Sequence, residues 1–261
     1  MNATFTSEQY QLGSKTVYLK YLTTNHRDLS LKYSTNRISD SSIGYGVNGT
    51  FFDKGNGNLT SMAIQDGEQI HIYGDYNRAY ANGSTGMSTG TFVVLEDITP
   101  GGRFLFVKSF KNFPVVVGGE TIEQSNVRFA IGGSNLFLDQ GDITEDEFDD
   151  LIANEDFPVP DSKAVRTVIL YIGGKSAGGN TILLTVYGDD TDNPGSYNGV
   201  TAWELRQIIR EKWPNCIMGV NLDGGGSTQI AYKQSDGTRK WIAPMDGTNI
   251  RKVYSFITVP M

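Results

Sequence analysis

What constrains this chain most is its punctuation. From residue 15 onward, short apolar or alternating stretches are separated by Gly, Asn, Asp and Pro, and few run on long enough to hold a helix. KTVYLKYL (15–22) and DLSLKYS (28–34) alternate apolar and polar side chains, the period of a strand with one buried face. SMAIQ, the Asp66-Gly67 turn and QIHIYG predict a hairpin over 61–74. Further strands are expected at TFVVLE (91–96), RFLFVKSF (103–110), FPVVVGG (113–119), VRFAIGG (127–133), TQIAYK (228–233), RKWIAP (239–244) and VYSFITV (253–259).

Two stretches break this rhythm. TEDEFDDLIAN (144–154) opens with Thr144 and Glu147 at capping-box spacing and would bury Phe148, Leu151 and Ile152. TAWELRQIIREKW (201–213) repeats the device with Thr201 and Glu204. It places Ala202, Leu205, Ile208, Ile209 and Trp213 on one face and stops at Pro214. The next run, CIMGVNL (216–222), is almost wholly apolar and reads as a strand buried on both faces. Many strands with two or three helices predict an α+β fold with a mixed, strand-rich central sheet. No repeat or linker appears. A single compact unit over 1–261 is expected, with the strands of 1–40 packed on a domain spanning 41–261.

Charge and composition narrow the partners. The formal net charge is −7, so the basic surplus of a nucleic-acid-binding surface is missing and nucleic acid is not an expected partner. Cys216 is the single cysteine, which excludes an intrachain disulfide; its apolar setting suits an inert core thiol. MNATFTSEQYQLG lacks the basic start and apolar core of a signal peptide. No apolar run approaches the roughly 20 residues that span a bilayer. The expected location is the cytoplasm, or a virion or the exterior by another route, without a membrane partner. The pattern commits the chain to no oligomeric state. His26 and His71 show no ligand spacing, so no metal site or cofactor is expected. GDDTDNPGS (188–196) could offer oxygen ligands to Ca²⁺, but without the Gly and Glu of an EF-hand loop it reads as a solvated turn.

Two familiar patterns fail on context. GYGVNG (44–49) spells G-x-G-x-x-G, but Thr50-Phe51-Phe52-Asp53 opens no helix on which a pyrophosphate could sit. Ser227 lies in GGSTQ, where Gln229 replaces the second glycine of a nucleophile elbow. The segment NLDGGGSTQI (221–230) is more informative. Glycines after a buried strand allow left-handed backbone and close approach of a ligand, and their amides can form an anion-binding concavity. Asp223, Ser227 and Thr228 stand at its rim. The alternative is a tight strand-to-strand turn capped by Asp223.

The segment has companions in a fixed order: GVNGTFFD (46–53), FAIGGSNLFLDQG (129–141), Arg166-Thr167-Val168, NLDGGGST (221–228) and IRKVYSFITV (250–259). From about residue 40 onward this arrangement resembles the phosphodiester glycosidase family. The resemblance implies hydrolysis of a sugar-1-phosphodiester, small or polymeric. It also implies a cleft gathering Asn48, Asp53, Arg166, Asp223, Gly224, Gly225, Ser227, Thr228 and Arg251. Two blocks depart from the family pattern. Tyr187-Gly188-Asp189-Asp190 stands where members typically carry Asp-Gly-Arg, and Gly132-Gly133-Ser134-Asn135 replaces a Gly-Gly-Gly-rich block.

Expected roles follow from the bond to be broken. A carboxylate must activate water or attack the anomeric carbon, and Asp223 is the first choice. Asp53 is the second carboxylate and Glu120, after the 113–119 strand, the third. Arg166 and Arg251 would hold the phosphate, assisted by the amides of Gly224, Gly225 and Gly226. Arg166 in a structural ion pair and Arg251 as an edge charge are the competing expectations. A module that binds a sugar phosphate or glycan without cleaving it, virion- or wall-associated, is the alternative function.

Overall fold

In the computed structural model the described residues are 3–71, 88–96, 104–155, 157, 159–173, 180–188, 198–244 and 250–260. In chain order the strands are β1 (Thr4–Leu12), β2 (Lys15–Asn25), β3 (Ser30–Tyr33), β4 (Tyr45–Asn48), β5 (Ala63–Gln65), β6 (Glu68–Gln69), β7 (Thr89–Leu95), β8 (Leu105–Phe110), β9 (Val115–Val117), β10 (Glu120–Ile122) and β11 (Val127–Asn135). Helix α1 (Glu145–Ile152) is followed by β12 (Arg166–Tyr171) and β13 (Asn180–Tyr187). Helix α2 (Ala202–Lys212) leads to β14 (Met218–Asn221), β15 (Ile230–Lys233), β16 (Arg239–Ile242) and β17 (Ser255–Val259).

A ten-stranded sheet runs β1-β2-β13-β12-β14-β11-β5-β6, with β7 also paired to β11 and β8 to β7. A five-stranded sheet runs β16-β15-β4-β17-β3, and β9 and β10 form a separate hairpin. The fold is therefore mostly β, which corrects the expected α+β class. The central sheet is not mixed either: the strand pairs described are antiparallel, including β14 with both its neighbours, β11 and β12. The expectation rested on finding two or three helices among many strands, but the two α-helices described are short beside the sheets. The apolar run at β14 fits its reading as a strand buried on both faces, because both faces of the large sheet are covered.

Alternation along the strands shows how. Val168 and Leu170 of β12, with Ile182, Leu184 and Val186 of β13 and Val17 and Leu19 of β2, pack against Leu205, Ile208 and Ile209 of α2. On the opposite face, Ile169, Leu183, Val220 and Leu222 join Val47, Ile230, Ala231, Phe256 and Ile257 from the five-stranded sheet. The result is a helix, a large sheet and a small sheet in layers, with period-two side chains dividing each central strand between two cores. A third core lies among β5, β7, β8 and the β9–β10 hairpin.

Both helices begin where the capping boxes predict, with the reciprocal Thr144–Glu147 and Thr201–Glu204 bonds formed. Leu151 and Trp213 are only half-buried, while the predicted partners on each apolar face are buried. Strand β1 was not read from the sequence: TFTSEQYQL is too polar to announce itself, and it forms the sheet's edge beyond β2. The N-terminal strands divide between the sheets, β2 pairing with β13 and β3 with β17. The 61–74 hairpin pairs β5 with β6 around Asp66 and Gly67; its residues 72–74 lie outside the described residues, as do Arg103 and 189–196 of the acidic loop.

Candidate active site

The chain leaves β14 at Leu222, passes Asp223, and turns through a short 3₁₀ segment, Gly225–Ser227. The glycines have distinct reasons. Gly225 has φ of 57°, in the left-handed region, and its amide donates to the Val165 carbonyl at 2.7 Å. A Cβ on Gly224 would lie 2.7 Å from that same carbonyl. The turn is thus pressed against the start of β12, which only bare backbone permits.

Asp223 is half-buried, yet its carboxyl sits deep among protein atoms. Burial pushes its pKa up to about 6, against the opposing influence of a Ser227 hydrogen bond, the Arg251 charge, the Gly224 amide and the Lys54 charge. Arg251 donates through Nη1 to Ser227 Oγ at 3.2 Å. Asp223, Ser227 and Arg251 therefore form a contiguous group, with Lys54 close enough to be felt.

Behind this group lies a buried polar bracket. Asn48 donates to the Asp223 carbonyl at 2.6 Å. Its side-chain oxygen accepts from the Thr167 hydroxyl at 2.8 Å and from the Gln229 amide at 3.0 Å. Thr228 Oγ1 donates to the Val165 carbonyl and lies 3.3 Å from Thr167 Oγ1. Gln229 donates to the Arg251 carbonyl at 2.9 Å and accepts from the Ile38 amide at 2.8 Å. Asn48, Thr167, Thr228 and Gln229 are each essentially inaccessible to solvent. Every one of these bonds replaces water that a buried polar group would otherwise lack. The bracket locks the ends of β4, β12 and β15 to the two segments that present Asp223 and Arg251.

Several expected residues stand elsewhere. Arg166 shares the parity of Val168 and Leu170, so it points to the α2 side of the sheet. Its guanidinium donates to the carbonyls of Val200 at 3.0 Å and Ser162 at 2.8 Å, and more weakly to Val159 and Pro160. Phe157 lies beneath it, 5.8 Å from ring centroid to guanidinium carbon. Burial lowers its pKa to about 10, which leaves it protonated at neutral pH. It does not stand with Asp223, and among the described residues it has no ion-pair contact, the Glu204 charge acting on it only from nearby; it pins the 159–162 segment. Asp53 shapes a turn: Oδ1 accepts from the Gly55 amide at 2.7 Å, while its backbone bonds Asn58 and Gly57. Glu120 begins β10 in the separate hairpin. The charges that hold the Asp223 pKa down are those of Arg251 and Lys54. Of the glycine amides, Gly224 serves Asp223 and Gly225 serves Val165, so neither points outward to an anion.

Lys54, Thr167 and Gln229 were not singled out by sequence. Lys54 follows Asp53 in a glycine-rich turn and could have been marked by that position alone. Thr167 and Gln229 carry no separate signal: only the meeting of three strand ends shows that they bond one another's neighbours. Among the described residues no cluster of His, Cys, Asp and Glu could hold a metal ion, and no helix is long and apolar enough to cross a membrane.

No curated protein matches the sequence significantly. Among solved structures, a hypothetical protein from Synechocystis aligns with a TM-score of 0.59 and 14% identity, over 98% of this chain and 62% of its own. A protein from Burkholderia pseudomallei aligns with a TM-score of 0.54 and 12% identity, over 95% of this chain and 75% of its own. At these identities the likeness is one of fold, and this chain spans less than two thirds of the Synechocystis protein. A profile of the phosphodiester glycosidase family matches residues 41–259, which contain Asp223, Arg251, Lys54 and nearly all of the bracket. The chain belongs to the phosphodiester glycosidase family.

Proposed function

We propose that the chain hydrolyses the bond between a sugar's anomeric carbon and phosphate in a sugar-1-phosphodiester. The observation that carries this reading is the Asp223 carboxyl at the end of a buried strand, beside the Ser227–Arg251 pair and under the positive charges of Arg251 and Lys54. In its ionised form Asp223 takes a proton from water as the water oxygen bonds to the anomeric carbon. The bond from that carbon to the phosphate oxygen breaks, and its electron pair leaves with the phosphate monoester. Such a leaving group has a second pKa of about 6, so it departs without a strong proton donor. A site with one carboxylate and two cations suits that chemistry, because the cations stabilise the charge growing on phosphate. Asn48, Thr228 and Gln229 act as positioning residues through the buried bracket.

The test is release of free sugar from a hexose 1-(methyl phosphate). Wild type should turn it over, with kcat/KM falling about tenfold per pH unit below about 6 as Asp223 takes up its proton. Asp223→Asn should remove turnover while leaving the thermal transition nearly unchanged. A variant at near wild-type rate would take Asp223 out of the reaction. The competing reading, a binding module, is favoured by the Ser227 and Gly224 donors that already occupy the Asp223 carboxyl. Saturable binding with no turnover by wild type would establish it.

A further inference from the structure

The last strand of a sheet presents backbone amides and carbonyls that a further strand can pair with, and proteins guard such edges with short length and with charge. Apart from the β9–β10 hairpin, the sheets described end on β1, β3, β6, β8 and β16. Strand β6 is two residues long and carries Glu68. Strands β3 and β16 have four residues each, with Lys32 in the first and Arg239 and Lys240 in the second. Strand β8 has six, and its Lys108 donates to the Val116 carbonyl of the neighbouring hairpin at 2.6 Å.

Strand β1 has neither protection. Its nine residues, TFTSEQYQL, include no proline, glycine, lysine or arginine. It pairs with β2 in unbroken register from Thr4 opposite Thr23 to Leu12 opposite Lys15, so no bulge turns the edge aside. Its single charge, Glu8, is answered within the chain by Lys212 of α2 at 2.7 Å. The apolar side chains along it are only half-covered. Phe5 lies flat on Tyr232 with ring centroids 3.6 Å apart, while Tyr10 and Leu12 rest on the core beneath α2. Ser7, Gln9 and Gln11 are exposed.

We propose that β1 pairs antiparallel with β1 of a second copy of this chain about a two-fold axis, so that the large sheet runs on through both copies. A strand paired antiparallel with itself is the self-complementary contact that a two-fold dimer requires. Charge favours a second copy as the occupant. With Glu8 neutralised by Lys212, the strand meets its own copy without repulsion and offers no charge by which a basic or acidic partner would be selected. The axis passes at Ser7 or Gln9. At Glu8 it would set two carboxylates directly opposite each other, which like charges on paired strands disfavour.

The test is the mass measured by light scattering after gel filtration, at loading concentrations from about 1 to 100 µM. Wild type should approach the mass of two chains at the upper end. The double variant Ser7→Lys with Gln9→Lys gathers ammonium groups across the axis, and should remain a single chain throughout with the far-UV circular dichroism of wild type. Ser7→Glu with Gln9→Glu should behave likewise by itself. An equimolar mixture of the two double variants should recover the mass of two chains, which misfolded proteins would not do. Wild type that stays a single chain at every concentration, a lysine variant that still dimerises, or a mixture that stays monomeric would overturn the proposal.

Discussion

At the scale of single residues, the two arginines that looked alike in sequence do different work. Arg251 meets Ser227 and acts on Asp223, whereas Arg166 is enclosed by carbonyls on the opposite face of the large sheet. The difference follows from strand parity, which one residue of register would reverse. It yields a prediction with two arms. Removing Arg251 withdraws a charge that holds the Asp223 pKa down, so in Arg251→Gln the acid limb of kcat/KM should move above its wild-type position near pH 6. The rate on a sugar-1-phosphodiester should drop about 100-fold. Lys54→Gln should shift the limb the same way, by less. Arg166→Met should leave the limb in place and instead lower stability by about 3 kcal/mol, because the carbonyls of Val200 and Ser162 lose their donor. A limb displaced by Arg166→Met but not by Arg251→Gln would reverse the assignment.

At the scale of elements, the capping boxes, the apolar face of α2 and most strands were legible because their signals are local. A Thr and a Glu three residues apart suffice to begin a helix. The pairing of strands was not legible, since register is set by partners far away in the chain. The connection from α1 to the sheet shows what local reading misses. Glu155, just beyond α1, is buried; one carboxylate oxygen accepts from the Asn135 amide at 2.6 Å, and the other meets the Ser109 hydroxyl. It ties the helix end to β8 and β11. Burial raises its pKa to about 7 despite those two donors. A carboxyl whose pKa is higher folded than unfolded contributes stability that is complete below about 4.5 and is lost as pH rises through about 7. The melting temperature of wild type should therefore fall relative to Glu155→Gln between pH 5 and 8, as the buried charge forms only in wild type. Parallel melting curves for the two proteins across that range would show that Glu155 ionises in the folded state as readily as in the unfolded one.

At the scale of the whole molecule, the site exists because two sheets converge. Asn48 comes from the small sheet, Thr167 from the large one, and the 221–230 segment passes between them. The sequence named Asp223, Ser227, Thr228 and Arg251 through ordered blocks, and the structure brings these four to one place. It did not separate residues that face a ligand from those that brace them: Asn48 and Thr228 are buried, and Asp53 shapes its turn. Conversely, Lys54 joined the group only once the turn was folded. The central claim is that phosphate binds between Arg251 and Lys54 with the anomeric carbon toward Asp223. The most direct test is a crystal structure with glucose 1-phosphate soaked into the Asp223→Asn variant. The account predicts phosphate oxygens within hydrogen-bonding distance of the Arg251 guanidinium and the Lys54 amine, and the sugar's first carbon facing residue 223. Phosphate seated on another surface, or a sugar turned away from residue 223, would contradict it.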